Sequence, residues 1–120
     1  MLQIEVTSTA AVSVEDPQSG TLPKVFALGQ NYPNPFNPGT QIKYQLPVAA
    51  QVNLAIYNIL GRKVRTLVDE EKAAGFYSVQ WDGFNDYKAK VGSGVYFVRI
   101  EARGADAGNF VLTKKMTLLK

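Results

Sequence analysis

Asn31-Tyr32-Pro33-Asn34-Pro35-Phe36-Asn37-Pro38 places three prolines in eight residues. Each proline holds φ at about −65° and removes a backbone donor, so the stretch can be neither a helix interior nor a central strand. It reads as a stiff, irregular loop. The residues ahead of the prolines, Tyr32, Asn34 and Asn37, are pushed towards extended conformations, and the asparagines can satisfy nearby backbone groups as Asx-turns. Tyr32 and Phe36 then stand on a rigid bracket as two large apolar bodies, suited to plugging the end of a core.

Downstream of the bracket, apolar residues recur at every second position, the mark of strands with one buried face. Ile42, Tyr44 and Leu46 alternate with Gln41, Lys43 and Gln45, and Pro47 ends the run. Val52, Leu54 and Ile56 repeat the pattern. The chain then turns at Asn58-Ile59-Leu60-Gly61-Arg62-Lys63, where Gly61 can take a positive φ without a Cβ penalty. A short returning strand is expected over residues 64–68, and the polar residues 69–74 read as a connection with room for one helical turn. Tyr77, Val79 and Trp81 share the next apolar face, with the only tryptophan expected at the centre of the core. Asp82-Gly83-Phe84-Asn85-Asp86 has turn chemistry. Tyr96, Val98, Ile100 and Ala102 form another face. Phe110, Leu112, Met116 and Leu118 form the last, and Lys114 interrupts it, predicting a bulge or an edge position there. About seven short strands, with no segment of helical period, predict an all-β, immunoglobulin-like antiparallel β-sandwich without a disulfide.

Upstream, Leu2, Ile4, Val6, Ala10, Val12 and Val14 share one parity and only Ser8 breaks their face. At about 3.3 Å per residue this run would span roughly 45 Å as a strand. Three pairings are open: with a preceding domain, with an edge of this one, or, as a donor strand built on Leu2, Ile4, Val6, Val12 and Val14, with a neighbouring subunit. Residues 16–23 are linker-like, rich in Pro, Gly and small polar residues. The organisation expected is an extended segment and linker over 1–21 and one domain over 22–120.

The chain contains neither cysteine nor histidine. Without them there is no disulfide framework, thiolate nucleophile, Ser-His-Asp relay or ordinary zinc or copper site. The net charge of +3 is uneven: residues 1–23 hold Glu5, Glu15 and Asp16 and no base, whereas the remainder carries 13 bases against 7 acids. That surplus is too weak to argue for nucleic acid. No apolar run has the length of a membrane span, and no signal peptide is visible at the first residues. Asp82, Asn85 and Asp86 bring three oxygen-bearing side chains together, but without the further ligands calcium needs; turn formation explains them better. Asp69-Glu70-Glu71 lies where nothing desolvates the carboxylates, so their pKa values would not be driven apart for acid-base work. Gly92-Ser93-Gly94 is not a nucleophile elbow. A carbohydrate-binding platform would need Tyr57, Phe76, Phe84 and Tyr87 on one surface. No enzymatic activity, cofactor, metal, small-molecule substrate or nucleic-acid partner is expected.

Several motifs in order carry a resemblance. The bracket from Asn31 to Pro38, Ile42-Lys43-Tyr44-Gln45-Leu46-Pro47, the turn through Gly61, Trp81-Asp82-Gly83, Ser93-Gly94-Val95-Tyr96 and the closing Lys114-Lys115-Met116 to Lys120 together resemble the C-terminal sorting domain of type IX secretion, type A, a flagellar-hook-capping-like immunoglobulin fold. The similarity runs from about Leu22 to the last residue. It departs after Trp81, where the family usually has a glycine and this chain has Tyr87-Lys88, so that the backbone of that turn is expected to differ. The resemblance implies a module of secreted or surface proteins of Bacteroidota-like bacteria. Such a module is recognised by the outer-membrane secretion machinery and is commonly cut off near its upstream linker by a sortase-like peptidase, and the cargo can be joined to surface lipopolysaccharide. Carried onto this chain, the cut falls in residues 16–23, and the recognition element is Lys114, Lys115, Met116, Leu118, Leu119 and Lys120, presented on an edge strand with unpaired backbone groups. The rival expectation is a structural subunit of an extracellular filament or multimodular surface protein, self-associating through residues 1–15.

Overall fold

The computed structural model describes residues 22–104 and 108–119. The strand expected over residues 1–15, the linker positions 16–21 and Lys120 lie outside the described residues.

In the described residues β1 (Ala27–Leu28) is followed by β2 (Thr40–Leu46), β3 (Ala50–Asn58), β4 (Lys63–Lys72), β5 (Gly75–Trp81), β6 (Gly94–Gly104) and β7 (Gly108–Leu118). They pair antiparallel into a three-stranded sheet, β1-β2-β5, and a four-stranded sheet, β4-β3-β6-β7. In the lettering of immunoglobulin domains these are A-B-E and C′-C-F-G. The strand that a constant-type domain keeps beside E has moved to extend the second sheet. Alternation explains the sandwich: Ile42, Tyr44 and Leu46 of β2 and Val52, Leu54 and Ile56 of β3 are buried, and the residues between them are more exposed, apart from Ala55. Val98, Ile100 and Ala102 of β6 and Met116 and Leu118 of β7 complete the interior.

Trp81 is at its centre. Its ring lies 5.5 Å from those of both Phe36 and Tyr96, and its indole N–H donates to the Phe84 carbonyl at 2.9 Å. The polar edge of a buried ring is thereby satisfied. Tyr96 also forms a tyrosine corner, its hydroxyl donating to the Gly92 carbonyl at 2.7 Å. Tyr77 repeats the device at the start of β5, donating to the Ala73 carbonyl at 2.6 Å.

Two expectations change, and a third is decided between its two alternatives. Residues 69–72 continue β4 and are not a connection, because Ala50, Gln51, Val52 and Asn53 of β3 pair with Lys72, Glu71, Glu70 and Asp69. The neighbouring strand supplies the hydrogen bonds, and the charges project where water can reach them. No bulge occurs at Lys114, since the β6–β7 register runs unbroken from Gly94↔Leu118 to Gly104↔Gly108; the irregularities fall between Leu54 and Ala55 and between Ile56 and Tyr57, against β4. Lys114 is instead at an edge, on the outermost strand of its sheet. Finally, Phe36 is buried but Tyr32 is 78% exposed. Tyr32 exchanges both backbone hydrogen bonds with Gln41 at 2.9 Å, so the chain is extended there, and with Asn31 turned inward Tyr32 must point out.

Candidate functional site

The bracket is held from inside by a small polar network. Asn31 is buried and its amide nitrogen donates to the Pro33 carbonyl and to the Thr40 hydroxyl, both at 3.0 Å. That hydroxyl in turn donates to the Pro33 carbonyl at 2.9 Å. The Asn31 side-chain oxygen accepts from Gln30 Nε2 at 2.7 Å. Each buried polar atom thus has a partner, which lets an asparagine occupy the end of an apolar core. On its other side the bracket meets Gly83. A Cβ built there would come within 3.0 Å of the Pro38 carbonyl, and φ is 83°, so both space and backbone ask for glycine.

The bracket also seals the closing strand. Thr117 N–H donates to Asn34 Oδ1 at 3.0 Å, Phe36 N–H to the Thr117 carbonyl at 2.9 Å and Leu119 N–H to the Phe36 carbonyl at 2.9 Å. Gln30 Nε2 donates to the Lys115 carbonyl at 2.8 Å. The expectation of an unpaired edge at the closing residues is therefore corrected: the outward backbone groups from the Lys115 carbonyl to the Leu119 N–H are taken. Sequence reading assigned the asparagines to local turns, whereas Asn34 reaches 83 positions along the chain. The prolines of the bracket signal stiffness, and no pattern in the sequence marks this partner.

The residues expected to form the recognition element divide by side. Met116 and Leu118 are core residues, Lys114 is half-buried, and Lys115 and Leu119 are exposed, Leu119 to 52%. Lys120 lies outside the described residues. Lys115 stands at the end of a cross-strand row that continues through Phe97 of β6 and Tyr57 of β3 to Lys63 of β4. Further along the same outer face, Asp69, Asn53, Glu101 and Val111 make a row of opposite character. An open depression of about 280 Å³ lies between the two, bordered by Tyr57, Lys63, Asp69, Arg99 and Glu101. The face presents a cationic, aromatic end beside the closing residues and an acidic end away from them, an arrangement that can orient a charged partner.

The remaining candidates have structural partners. Asp82 accepts from the Phe84 N–H and from Arg65, both at 3.0 Å, and Asn85 Oδ1 accepts from Tyr87 N–H at 2.9 Å and Ala89 N–H at 3.0 Å. Asp86 accepts from Thr66 N–H at 3.2 Å. Arg65 donates to the Phe84 carbonyl at 3.0 Å and fastens this loop to β4. Glu70 pairs with Lys72 at 2.8 Å. The aromatic platform is not assembled: Tyr57 is on the outer face of the four-stranded sheet, Phe76 on the three-stranded sheet, and Phe84 and Tyr87 are in the loop between β5 and β6. The donor-strand residues Leu2, Ile4, Val6, Val12 and Val14 lie outside the described residues.

With this geometry in view, the family model of the FlgD Ig-like domain matches residues 32–106. The chain belongs to the FlgD Ig-like domain family. Among solved structures, this FlgD Ig-like domain is similar to dimeric latent PorU from Porphyromonas gingivalis, with 22% identity and a TM-score of 0.63 over 83% of the chain. It spans 10% of that protein's length. FlgD from P. aeruginosa gives 21% identity and a TM-score of 0.53, covering 68% of this chain and 67% of that one. PorZ of Porphyromonas gingivalis, described as a bacterial surface component of the type-IX secretion system, gives 18% identity and a TM-score of 0.47 over 79% of this chain and 11% of its own. No curated protein matches the sequence. The likenesses to PorU and FlgD bear out the fold.

Proposed function

We propose that this FlgD Ig-like domain is a non-catalytic sorting and anchoring module, which directs the protein that carries it through type IX secretion to the cell surface. The observation that carries the reading is the way the closing strand is presented. The bracket pins its backbone, Met116 and Leu118 root it in the core, and Lys115, opposite Phe97, and Leu119 are left exposed. A strand held in this way offers a rigid, preorganised surface to a protein partner, which lowers the entropy lost on docking. The ordered motifs from Asn31 to Lys115 support the same reading through their resemblance to the sorting domains. The partners are then the outer-membrane secretion machinery, and a sortase-like peptidase acting in residues 16–23.

The test is export of a passenger fused ahead of the chain in a host with the secretion system. Lys115→Glu with Leu119→Asp should abolish surface display while leaving thermal stability unchanged. Glu71→Lys, at the acidic end of the same face, should display normally. Normal display of the double variant would overturn the proposal.

A further inference from the structure

We infer that the turn between β3 and β4 is a lipid-docking tip, which enters the headgroup layer of an anionic bilayer with Ile59 and Leu60 foremost. Neither Lys115 nor Leu119 is needed for this, so it holds whether or not the domain is a sorting module.

Ile59 is 72% exposed and Leu60 77%, and they are the only two exposed large hydrophobic residues that adjoin in sequence among the described residues. Neither belongs to the core or packs against it. The turn is made by other groups. Asn58 N–H donates to the Arg62 carbonyl and Gly61 N–H to the Asn58 carbonyl, both at 2.9 Å, and Asn58 Oδ1 accepts from Leu60 N–H at 2.9 Å and from Arg62 N–H at 3.0 Å. The two aliphatic side chains are thus held outward on a fixed backbone that they take no part in fixing. Water is a poor surrounding for them, and a rigid apolar projection of this kind gains free energy only by entering an apolar phase.

The charges around the tip select the occupant. Arg62 and Lys63 follow it directly, and both are exposed. The loop between β5 and β6 stands beside them: Asp86 N–H donates to the Val64 carbonyl at 3.0 Å and Asp86 Oδ1 accepts from Thr66 N–H at 3.2 Å, which brings Tyr87, Lys88 and Lys90 alongside the start of β4. Tyr87 is 89% exposed. The acids here, Asp82 and Asp86, both lie against Arg65, at 3.0 Å and 3.9 Å. Arg62, Lys63, Lys88 and Lys90 are left without an acidic partner among the described residues. An aliphatic tip, an exposed tyrosine and a group of bases behind them match the order of hydrocarbon, interface and phosphate in a bilayer. Nucleic acid would leave Ile59 and Leu60 nothing to be buried in, and a protein would need a pocket shaped to both. A fluid anionic layer satisfies the apolar and the cationic groups together. Asp69, Glu70 and Glu71 fall at the far end of β4, where the same surface would repel them, so the domain is held with this turn towards the lipid.

The test is co-sedimentation of the full chain with vesicles of phosphatidylglycerol and phosphatidylcholine in equal parts, set against vesicles of phosphatidylcholine alone. The chain should bind the anionic vesicles about ten-fold or more tightly than the neutral ones, and its binding should fall as salt is raised. Ile59→Ser with Leu60→Ser leaves the charge unchanged and should weaken binding to the anionic vesicles by about ten-fold or more. Arg62→Gln with Lys63→Gln should weaken it by about ten-fold. Val48→Ser, at an exposed apolar residue between β2 and β3 at the other end of the domain, should bind as the parent does. All five positions are exposed, so the thermal midpoints of the variants should match the parent's. Failure of the parent chain to sediment with anionic vesicles overturns the inference and makes a protein the occupant of the tip. Undiminished binding by Ile59→Ser with Leu60→Ser overturns it as well, because attraction to the bases alone would then account for the binding.

Discussion

The side-chain oxygen of Asn34 accepts the backbone N–H of Thr117 at 3.0 Å, joining a loop at the front of the domain to its last strand. Removing the acceptor in Asn34→Ala should lower the unfolding free energy in urea by about 1 kcal/mol. Amide exchange at Thr117 should speed up in the same variant. Asn34→Asp keeps an acceptor and should retain most of the stability.

The tyrosines are expected to separate by their hydroxyls. Tyr96→Phe and Tyr77→Phe each remove a short bond to a backbone carbonyl and should cost roughly 0.5–1.5 kcal/mol. Tyr44 is buried and stacks on Tyr77 at 5.2 Å, but its hydroxyl has no hydrogen-bond partner among the described residues. Tyr44→Phe should therefore fall within about 0.5 kcal/mol of the parent or be more stable. Denaturant midpoints of the three variants decide the matter.

Burial pushes the Tyr44 phenol well above its ordinary value, with Tyr77 and Glu70 adding to the effect. Burial also raises Tyr77, against a lowering by Lys72, and raises Tyr96. The folded chain thus keeps these protons to higher pH than the unfolded chain does. Their contribution is fully present below about pH 10, the ordinary tyrosine value, and is lost progressively above it. Unfolding free energy should fall with rising pH in that alkaline window, and Tyr44→Phe should flatten the slope.

Lys88 has φ 67°, in the left-handed region that favours glycine. A side chain is thus carried into a glycine-like conformation. Lys88→Gly should stabilise the domain by about 0.5–1 kcal/mol, the relief of backbone strain outweighing the greater freedom of the unfolded chain. A rise in thermal midpoint checks this; a fall would mean that the lysine side chain contributes more than its backbone costs.

The strands were readable because a sheet with one buried face writes its period into the chain. Ile42, Tyr44 and Leu46, or Tyr96, Val98, Ile100 and Ala102, report their side directly. Where a strand depends on its neighbour the signal fails: Asp69, Glu70 and Glu71 have poor strand propensity and pair because β3 lies beside them. Tyr32 misled because the phase of its pleat is set by Asn31, a polar residue whose burial depends on Thr40 and Pro33. For the candidate site, the alternation of the last strand already separates Lys115 from Met116 and Leu118. The sealing of that strand by Gln30, Asn34 and Phe36 was not legible, since it depends on contacts between opposite ends of the domain.

Those contacts make the domain sensitive to whether synthesis has passed its last strand. A growing polypeptide exposes Phe36 and the groups around it early, and nothing can take them up until Thr117 and Leu119 emerge. A product broken off before Thr117 keeps an aromatic ring and several amides facing water, soft to proteases, and a chain that reaches Leu119 gains the closed form.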